Sequence, residues 1–502
     1  MSTSADAEGH GSSPSGWSPR RTQQEKSLPR ALGLTALSGI VPGLGLLFTP
    51  TWRLGALALT GVVLLVGGLI WRFVDGGLLN TAVDVASSSS QLLLLAAGIV
   101  LAALLWIALI ALTARVTRPG GLDTRGSVAL TGVALLMSAL VLAPTVQAVN
   151  TVAAHRQAVS TVFAGGSGAE PTSRPAIHED DPWAGFDRVN LLLLGSDAAE
   201  SREGVRPDAL MVMSMDPRTG NSVLVGVPRN LMKAPIPPGN PLHQIWPSGY
   251  DCGNVCIINA LWSEASAHSE LFGDEPNPGS ATTRDAIEGV VGLDIHHVVT
   301  VDLQGFQQLV DAMGGVDITV GERIPIGGKV SNGQIVPGSI RGWIEEGPQH
   351  MDGHTALWYS RSRATTSDYD RMDRQRCMVG ALISQSQPLD MLRRYPAIAG
   401  ALEENVWTDI PQEDLPAWAD LFLKVKDGRM KSLPLTNERI DTVDPDFEAI
   451  HAMVERSINP PKPTAKPTPK PSPSTTEEAE EPAPSETEEP SPSEAEELAA
   501  TC

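Results

Sequence analysis

The sequence predicts an α/β sandwich with a mixed central sheet, preceded by an all-α transmembrane region and followed by a disordered tail. Three observations carry that expectation. Apolar stretches crowd into roughly residues 31–149. From about 186 to 458, short β-type runs alternate with amphipathic segments and turn signals, the pattern of strands with helices between them. Beyond that, composition collapses onto Pro, Ser, Thr and Glu, which bury too little apolar surface to offset the entropy of ordering. At 502 residues the chain exceeds one ordinary core, so several regions are expected.

Residues 1–30 are polar and carry Arg20, Arg21, Lys26 and Arg30 just before the first apolar run. They read as a disordered cytoplasmic arm under the positive-inside rule. No small-residue cleavage site follows a short apolar core, so a cleaved signal peptide is not expected. The membrane region, 31–150, holds apolar stretches at about 31–49, 54–74, 91–113 and 127–149. The last three reach the roughly 20 residues that a bilayer crossing needs. The first is shorter and broken by Gly39, Pro42, Gly43 and Gly45, so it either dips in and returns or crosses as a further span. Arg115, Arg118 and Arg125 put the loop before the last stretch inside, and Arg53 does the same ahead of the second. On that orientation three crossings deliver the large C-terminal region outside. The expectation is a multi-pass plasma-membrane protein with an extracytoplasmic domain.

Residues 151–185 read as a linker, 186–458 as the folded domain and 459–502 as the tail. Within the domain, Arg188–Leu194 is an apolar run suited to a central strand, and Asp-Pro-Arg-Thr-Gly-Asn joins the strands Ala209–Met215 and Ser222–Val227. Helices are expected over Ile258–His268, Thr282–Val291, Leu303–Met313, Gly353–Tyr359, Arg371–Ser386 and parts of 389–425, with strands at His297–Val301 and Val316–Val320.

The formal net charge of −21 argues against nucleic acid as a general partner. Much of it sits in the glutamate-rich tail, so it says little about the folded part. Of the four cysteines, Cys252 and Cys256 enclose Gly-Asn-Val and are candidates for a small disulfide loop in an oxidising compartment; no second pair follows at zinc-ribbon spacing. Cys377 falls in an expected helix, where plain burial accounts for it.

Four constellations carry chemistry. Asp197 ends the first apolar strand in Gly-Ser-Asp, and Arg206-Pro-Asp208 opens the next. Two carboxylates facing each other across that mouth would suit Mg²⁺ bound with a substrate phosphate; as single residues they are equally ordinary turn and cap positions. Arg229 ends the third strand, as an anion ligand or as surface decoration. Asn259 heads a helix, where it reads as a cap more readily than a ligand. Between Trp358 and Gln375 stand Arg361, Arg363, Arg371 and Arg374, interleaved with Asp368, Asp370 and Asp373. Guanidinium forks match phosphate oxygens bidentately, yet taken alone this segment also describes a salt-bridged surface helix.

In combination the motifs decide more than each does singly. Leu-Leu-Gly-Ser-Asp, Arg-Pro-Asp-Ala-Leu-Met, Val-Pro-Arg, Ile-Asn-Ala, Gly-Gly-Val-Asp-Ile, Met-Asp-Gly-His-Thr-Ala-Leu, Tyr-Ser-Arg-Ser-Arg and Asp-Tyr-Asp-Arg-Met-Asp-Arg-Gln occur in that order. The series resembles the LytR-CpsA-Psr family, densely over about 187–385 and weakly to about 455. The resemblance implies an α/β/α domain and a phosphotransferase that moves a glycopolymer from a polyprenyl-diphosphate carrier to peptidoglycan. It implies Mg²⁺ at Asp197 and Asp208, and a diphosphate-binding set of Arg206, Arg229, Arg361, Arg363, Arg371 and Gln375 with Arg374 beside them. Asp368 matches the acidic residue three before the helix arginine, and Asp368 or Asp370 is the candidate proton acceptor. The family's usual Asp after Pro-Arg is replaced here by Asn230, followed by Leu231, and the multi-span anchor is heavier than the single helix common there. A hydrolase releasing the lipid head group to water, or a non-enzymatic wall-binding protein, would use many of the same residues.

Overall fold

The computed structural model describes residues 27–76, 85, 88–162, 182–197, 206–387, 394, 398, 401, 405–460, 495–498 and 502, in two compact units. Most of the basic N-terminal arm, part of the linker and most of the acidic tail lie outside the described residues.

The first unit is helical, holding α1 (Leu28–Ile40) and most of α2 (Trp52–Gly76), α3 (Ser89–Thr117) and α4 (Thr124–Val162). Three segments, Trp52–Arg72, Ser90–Thr117 and Thr124–Gln157, are long and apolar enough to cross a membrane. They turn large side chains such as Leu64, Leu94 and Leu135 outward, a surface that lipid solvates and water does not. The chain is a multi-pass membrane protein whose α/β domain follows the last span. At 13 residues, α1 covers only about 20 Å, short of the roughly 30 Å hydrocarbon core. It ends at Val41 and the chain turns back through a 3₁₀ segment, Gly45–Phe48. The break is satisfied internally, as an apolar medium requires. Gly45 N–H donates to Ser38 Oγ at 3.1 Å, Ser38 Oγ shares a 2.9 Å hydrogen bond with Thr113 Oγ1, and Trp106 Nε1–H donates to Ser38 O at 2.9 Å. The helices outrun the apolar stretches of the sequence. α4 continues to Val162, because the Ala- and Gln-containing turns after Asn150 keep helical propensity once hydrophobicity ends.

The second unit is built on a seven-stranded mixed sheet. In chain order its elements begin β1 (Val189–Ser196), β2 (Pro207–Met215), β3 (Ser222–Gly226), α5 (Leu261–Ala267), α6 (Pro278–Val291), β4 (His297–Val301), α7 (Leu303–Met313) and β5 (Val316–Val320). A group of short strands follows: β6 (Ile324–Gly327), β7 (Val330–Ser331), β8 (Gln334–Ile335), β9 (Ile340–Ile344) and β10 (Gly347–Met351). Then come α8 (Gly353–Arg361), α9 (Asp368–Gln385), β11 (Val406–Thr408), α10 (Leu415–Asp427), β12 (Met430–Pro434), α11 (Phe447–Ile458) and β13 (Glu496–Glu497). The sheet order is β11-β4-β1-β2-β3-β12-β13, with β1–β4 and β3–β12 parallel and the other pairs antiparallel.

Strand alternation divides the sheet into two faces. Leu192, Leu194, Leu210, Val212, Val223 and Val225 pack with α5, α6 and α11. Val189, Leu191, Met211, Met213, Met215 and Leu224 pack with Trp418, Leu421 and Val425 of α10. The β2 side chains are thus spent on both cores. The Asp-Pro-Arg-Thr-Gly-Asn turn closes β2 on β3, with Asp216 Oδ1 accepting from Arg218 N–H at 2.8 Å.

Helix ends follow side-chain chemistry. Asn277 accepts from Ser280 N–H and Asp302 from Gly305 N–H, while Gly292 and Gly314 close α6 and α7 at φ of 71° and 95°. α6 starts ahead of the expected Thr282 because Asn277-Pro278 is itself the cap and first turn. The short strands β6–β10 are additional to the expected elements; each is only two to five residues long, too brief to show an alternation. Two disulfides are present, Cys252–Cys256 and Cys377–Cys502. The second brings the tail back to the domain: Glu496 and Glu497 pair with Ser432 and Lys431 of β12, and Ala495 and Leu498 are buried.

α8 seats directly on α7. Any Cβ at Gly353 would collide with the carbonyl of Gln307. Gly353→Ala is therefore expected to cost about 1–3 kcal/mol, seen as a lower melting temperature of the purified protein.

Candidate functional site

Topology brings three strand ends together. In the β1–β2 ladder Gly195 faces Ala209 and Ser196 faces Pro207, so Asp197 and the Arg206–Asp208 segment meet at one sheet end. Asp197 N–H donates to Arg206 O at 3.3 Å, and Arg206 N–H donates to Asp197 Oδ1 at 3.2 Å. β3 returns antiparallel to β2, and Val227 N–H donates to Leu210 O at 2.9 Å. The backbone leaving β3 thus runs beside the start of β2 and delivers Arg229 to Asp208. Asn259, expected as a cap, caps nothing: its backbone N–H donates to Arg229 O at 3.3 Å, steadying that arginine from behind.

The other half comes from the α8–α9 junction. Arg361 is the last residue of α8 and Ser362 is extended, which throws Arg363 outward. Ser367 then caps α9 in a reciprocal box with Asp370. Asp368, in the first turn, accepts from Arg363 Nη1 at 3.2 Å and Arg371 Nη2 at 3.1 Å, and pairs ionically with Arg229 Nη2 at 3.3 Å. Arg229 also pairs with Asp208, and Arg371 Nη2 donates to the Asp208 carbonyl at 3.1 Å. Asp208, Arg229, Asp368, Arg363 and Arg371 therefore form one connected network. It climbs from Arg371, 2% exposed, to Arg363, 47% exposed. Its three guanidiniums outnumber its two carboxylates, so it carries net positive charge toward the surface.

Burial pulls the Arg371 pKa down to about 10, against the opposing pull of Asp368. Its Nε is buried without a hydrogen-bond partner among the described residues. Arg361 stacks on Trp358, 5.2 Å from the ring centroid. Arg206 is exposed, and its charge favours the ionised form of the Tyr250 phenol, whose pKa burial raises. Cys252 and Cys256 staple the loop just after Tyr250.

Arg374 and Gln375 occupy a different layer. Arg374 is buried; its Nε donates to Tyr359 O at 2.8 Å and its Nη2 to Ser362 O and to Thr366 Oγ1. Gln375 Nε2 donates to Ser360 O at 3.2 Å. Both hold the carbonyls that end α8 and so fix the backbone carrying Arg361 and Arg363. The remaining aspartates are committed elsewhere. Asp373 pairs with Arg376, and hydrogen bonds from Ser367 keep the Asp370 pKa below the usual carboxylate value. Among the described residues no group of three or more His, Cys, Asp and Glu side chains gathers as a metal site.

The LytR_cpsA_psr family model matches residues 164–457. The chain belongs to the LytR-CpsA-Psr family. It is 28% identical over 227 residues to the polyisoprenyl-teichoic acid–peptidoglycan teichoic acid transferase TagU of Halalkalibacterium halodurans, covering 45% of this chain and 62% of that protein. It is 25% identical over 250 residues to TagV of Bacillus subtilis, described in the same words, covering 49% and 56%. The chain thus spans about three-fifths of the length of these curated relatives. Among solved structures, B. subtilis TagV matches with a TM-score of 0.38 at 22% identity over 54% of this chain and 96% of that one, and B. subtilis TagT with 0.36 at 18% over 57% and 96%. Where this LytR-CpsA-Psr chain departs from the family pattern, after Pro228-Arg229, Asn230 is exposed and Leu231 is fully buried in the core against α5 and α6. The second position serves packing.

Three outcomes follow from the buried layer and the cap. Arg374→Ala leaves the Tyr359 and Ser362 carbonyls without their donor and should cost about 2–4 kcal/mol, read as a shifted denaturation midpoint. Ser367→Ala should cost about 1 kcal/mol. Because the folded Asp370 pKa lies below 3.8, its stabilisation is complete above that value and is lost as pH falls through the lower one. An acid titration should therefore destabilise the native protein more steeply than Asp370→Asn.

Proposed function

We propose that this protein is a membrane-anchored phosphotransferase that moves a glycopolymer from a polyprenyl-diphosphate carrier to peptidoglycan, outside the cell, forming a phosphodiester. The observation that carries the proposal is the connected Asp208–Arg229–Asp368–Arg363–Arg371 network at the strand ends. With Arg206 and Arg361 at its margin, it supplies an excess of guanidinium charge of the kind a diphosphate diester needs, and the forks suit phosphate oxygens.

The reaction is displacement at phosphorus. A peptidoglycan sugar hydroxyl attacks the phosphorus bearing the glycopolymer, the bond from that phosphorus to the bridging oxygen breaks, and polyprenyl phosphate leaves. Negative charge builds on the bridging and leaving oxygens. Arg229, Arg363 and Arg371, held in place before substrate arrives, stabilise that charge without reorganising. Of the two proton acceptors considered, Asp368 is the one that lies within the network, and it takes the hydroxyl proton as the substrate draws the arginines to its phosphates. Gln375 and Arg374 act beneath, through the α8 carbonyls.

Asp197 and Asp208 fit Mg²⁺ as a donor set. They are two hard carboxylates at one strand end, and Mg²⁺ habitually takes the rest of its shell from substrate phosphate and water. When bound there, the ion supplies Lewis-acid polarisation of a phosphoryl oxygen.

The full-length protein in lipid vesicles, given a polyprenyl-diphosphate saccharide and a peptidoglycan acceptor, should produce a phosphodiester-linked glycan. Arg229→Ala and Arg371→Ala should each lower turnover by about 10²–10³-fold, and chelation of divalent ions should stop it reversibly. Release of saccharide phosphate to water with no linkage to the acceptor would identify a hydrolase. Full activity of both arginine variants would refute the assigned site.

A further inference from the structure

We propose that residues 495–498 and the disulfide-bonded Cys502 act as a redox-reversible staple that positions α9, and through it the arginines of the site. What those arginines bind rests on the function proposed above; the staple rests on its own observations. Three attachments tie this end of the chain to α9. Glu496 and Glu497 add an antiparallel strand to the edge of β12, opposite Ser432 and Lys431. Ser432 in turn accepts from Arg376 Nε of α9 at 2.6 Å, and Glu496 lies 3.6 Å from Arg439. Leu498 is buried against Gly380, where a Cβ would run into its methyl group. Cys502 is then disulfide-bonded to Cys377.

Cys377 stands two positions after Gln375 and three after Arg374, so the covalent tie falls within a turn of the residues that clamp the end of α8. Freeing it would let α9 shift against β12, and sub-ångström shifts of phosphate-holding groups are costly in rate. The two sulfurs differ in access. Cys377 is buried and Cys502 is exposed, so an attacking thiolate reaches the Cys502 sulfur first. In the balanced step a dithiol thiolate attacks that sulfur, the Sγ–Sγ bond breaks and Cys377 leaves as thiolate, taking up a proton. The second thiol of the reductant then resolves the mixed disulfide. Cys377 and Cys502 end as thiols with two electrons gained, and the reductant ends as its own disulfide.

The test uses the full-length protein in vesicles, with dithiothreitol as the dithiol, and reads kcat and KM for a polyprenyl-diphosphate saccharide together with amide hydrogen exchange of α9. Native protein and a Cys252→Ser/Cys256→Ser double variant should both lose roughly 10-fold in kcat/KM on reduction, with faster exchange in α9. Cys502→Ser should begin at the lowered value and not respond further. Reduction of the native protein gives the same comparison without any substitution. If Cys502→Ser keeps native kcat/KM, or if it melts lower with kcat/KM unchanged, the positioning role is overturned. An equal response of Cys502→Ser to dithiothreitol would assign the effect to the other disulfide and also overturn it. Exchange that responds in α9 while no form of the protein turns over substrate would support the staple and refute the transferase reading.

Discussion

Asp368 is the carboxylate on which the site depends. Three guanidiniums within reach of one another repel by about 3 kcal/mol per pair at roughly 5 Å in a partly screened interior. A carboxylate among them converts that repulsion into a lattice of charge-assisted hydrogen bonds. Asp368 can serve because it occupies the first turn of α9, where the helix dipole favours a negative group. The same dipole favours an incoming anion, so the helix end and the arginine excess act in the same direction.

α9 distributes its arginines among three tasks. Arg371 points to the strand ends, Arg374 to the carbonyls of α8 and Arg376 to β12. Each is buried, and each desolvation is offset by a different neighbouring element. α9 is thus a helix fastened on three sides, with Arg361 and Arg363 on the junction that Arg374 and Gln375 hold from beneath. Burying a guanidinium is costly unless its donors are met, which is why the fastening residues cannot be exchanged for lysines at no cost.

Much of this was legible in the sequence where pattern and chemistry coincide. His297–Val301, Leu303–Met313 and Val316–Val320 appear at the bounds their periodicity and glycine stop predict. Asp208, Arg229 and Asp368 could be nominated only jointly, since no local rule places a turn aspartate beside an arginine some twenty residues away. Arg374 shows the opposite failing. It stands three residues from Arg371 on one helix, yet such a pair diverges by about 60° around the axis, enough to send one to the site and the other under α8. Composition also concealed the end of the tail. The residues that fasten it to the domain, the buried Ala495 and Leu498 and the disulfide-bonded Cys502, sit in a run whose average is polar, and averages do not see a single disulfide.

The parallel pairing of β3 with β12 has a consequence for how the protein is made. Ser222 lies opposite Met430, so the sheet cannot close until nearly the whole domain has emerged from the translocation channel. Until then β3 presents an open, apolar edge in a compartment where strand edges readily find wrong partners. Closure of the sheet is therefore ordered by the chain itself, the edge of β3 waiting for the late strand β12.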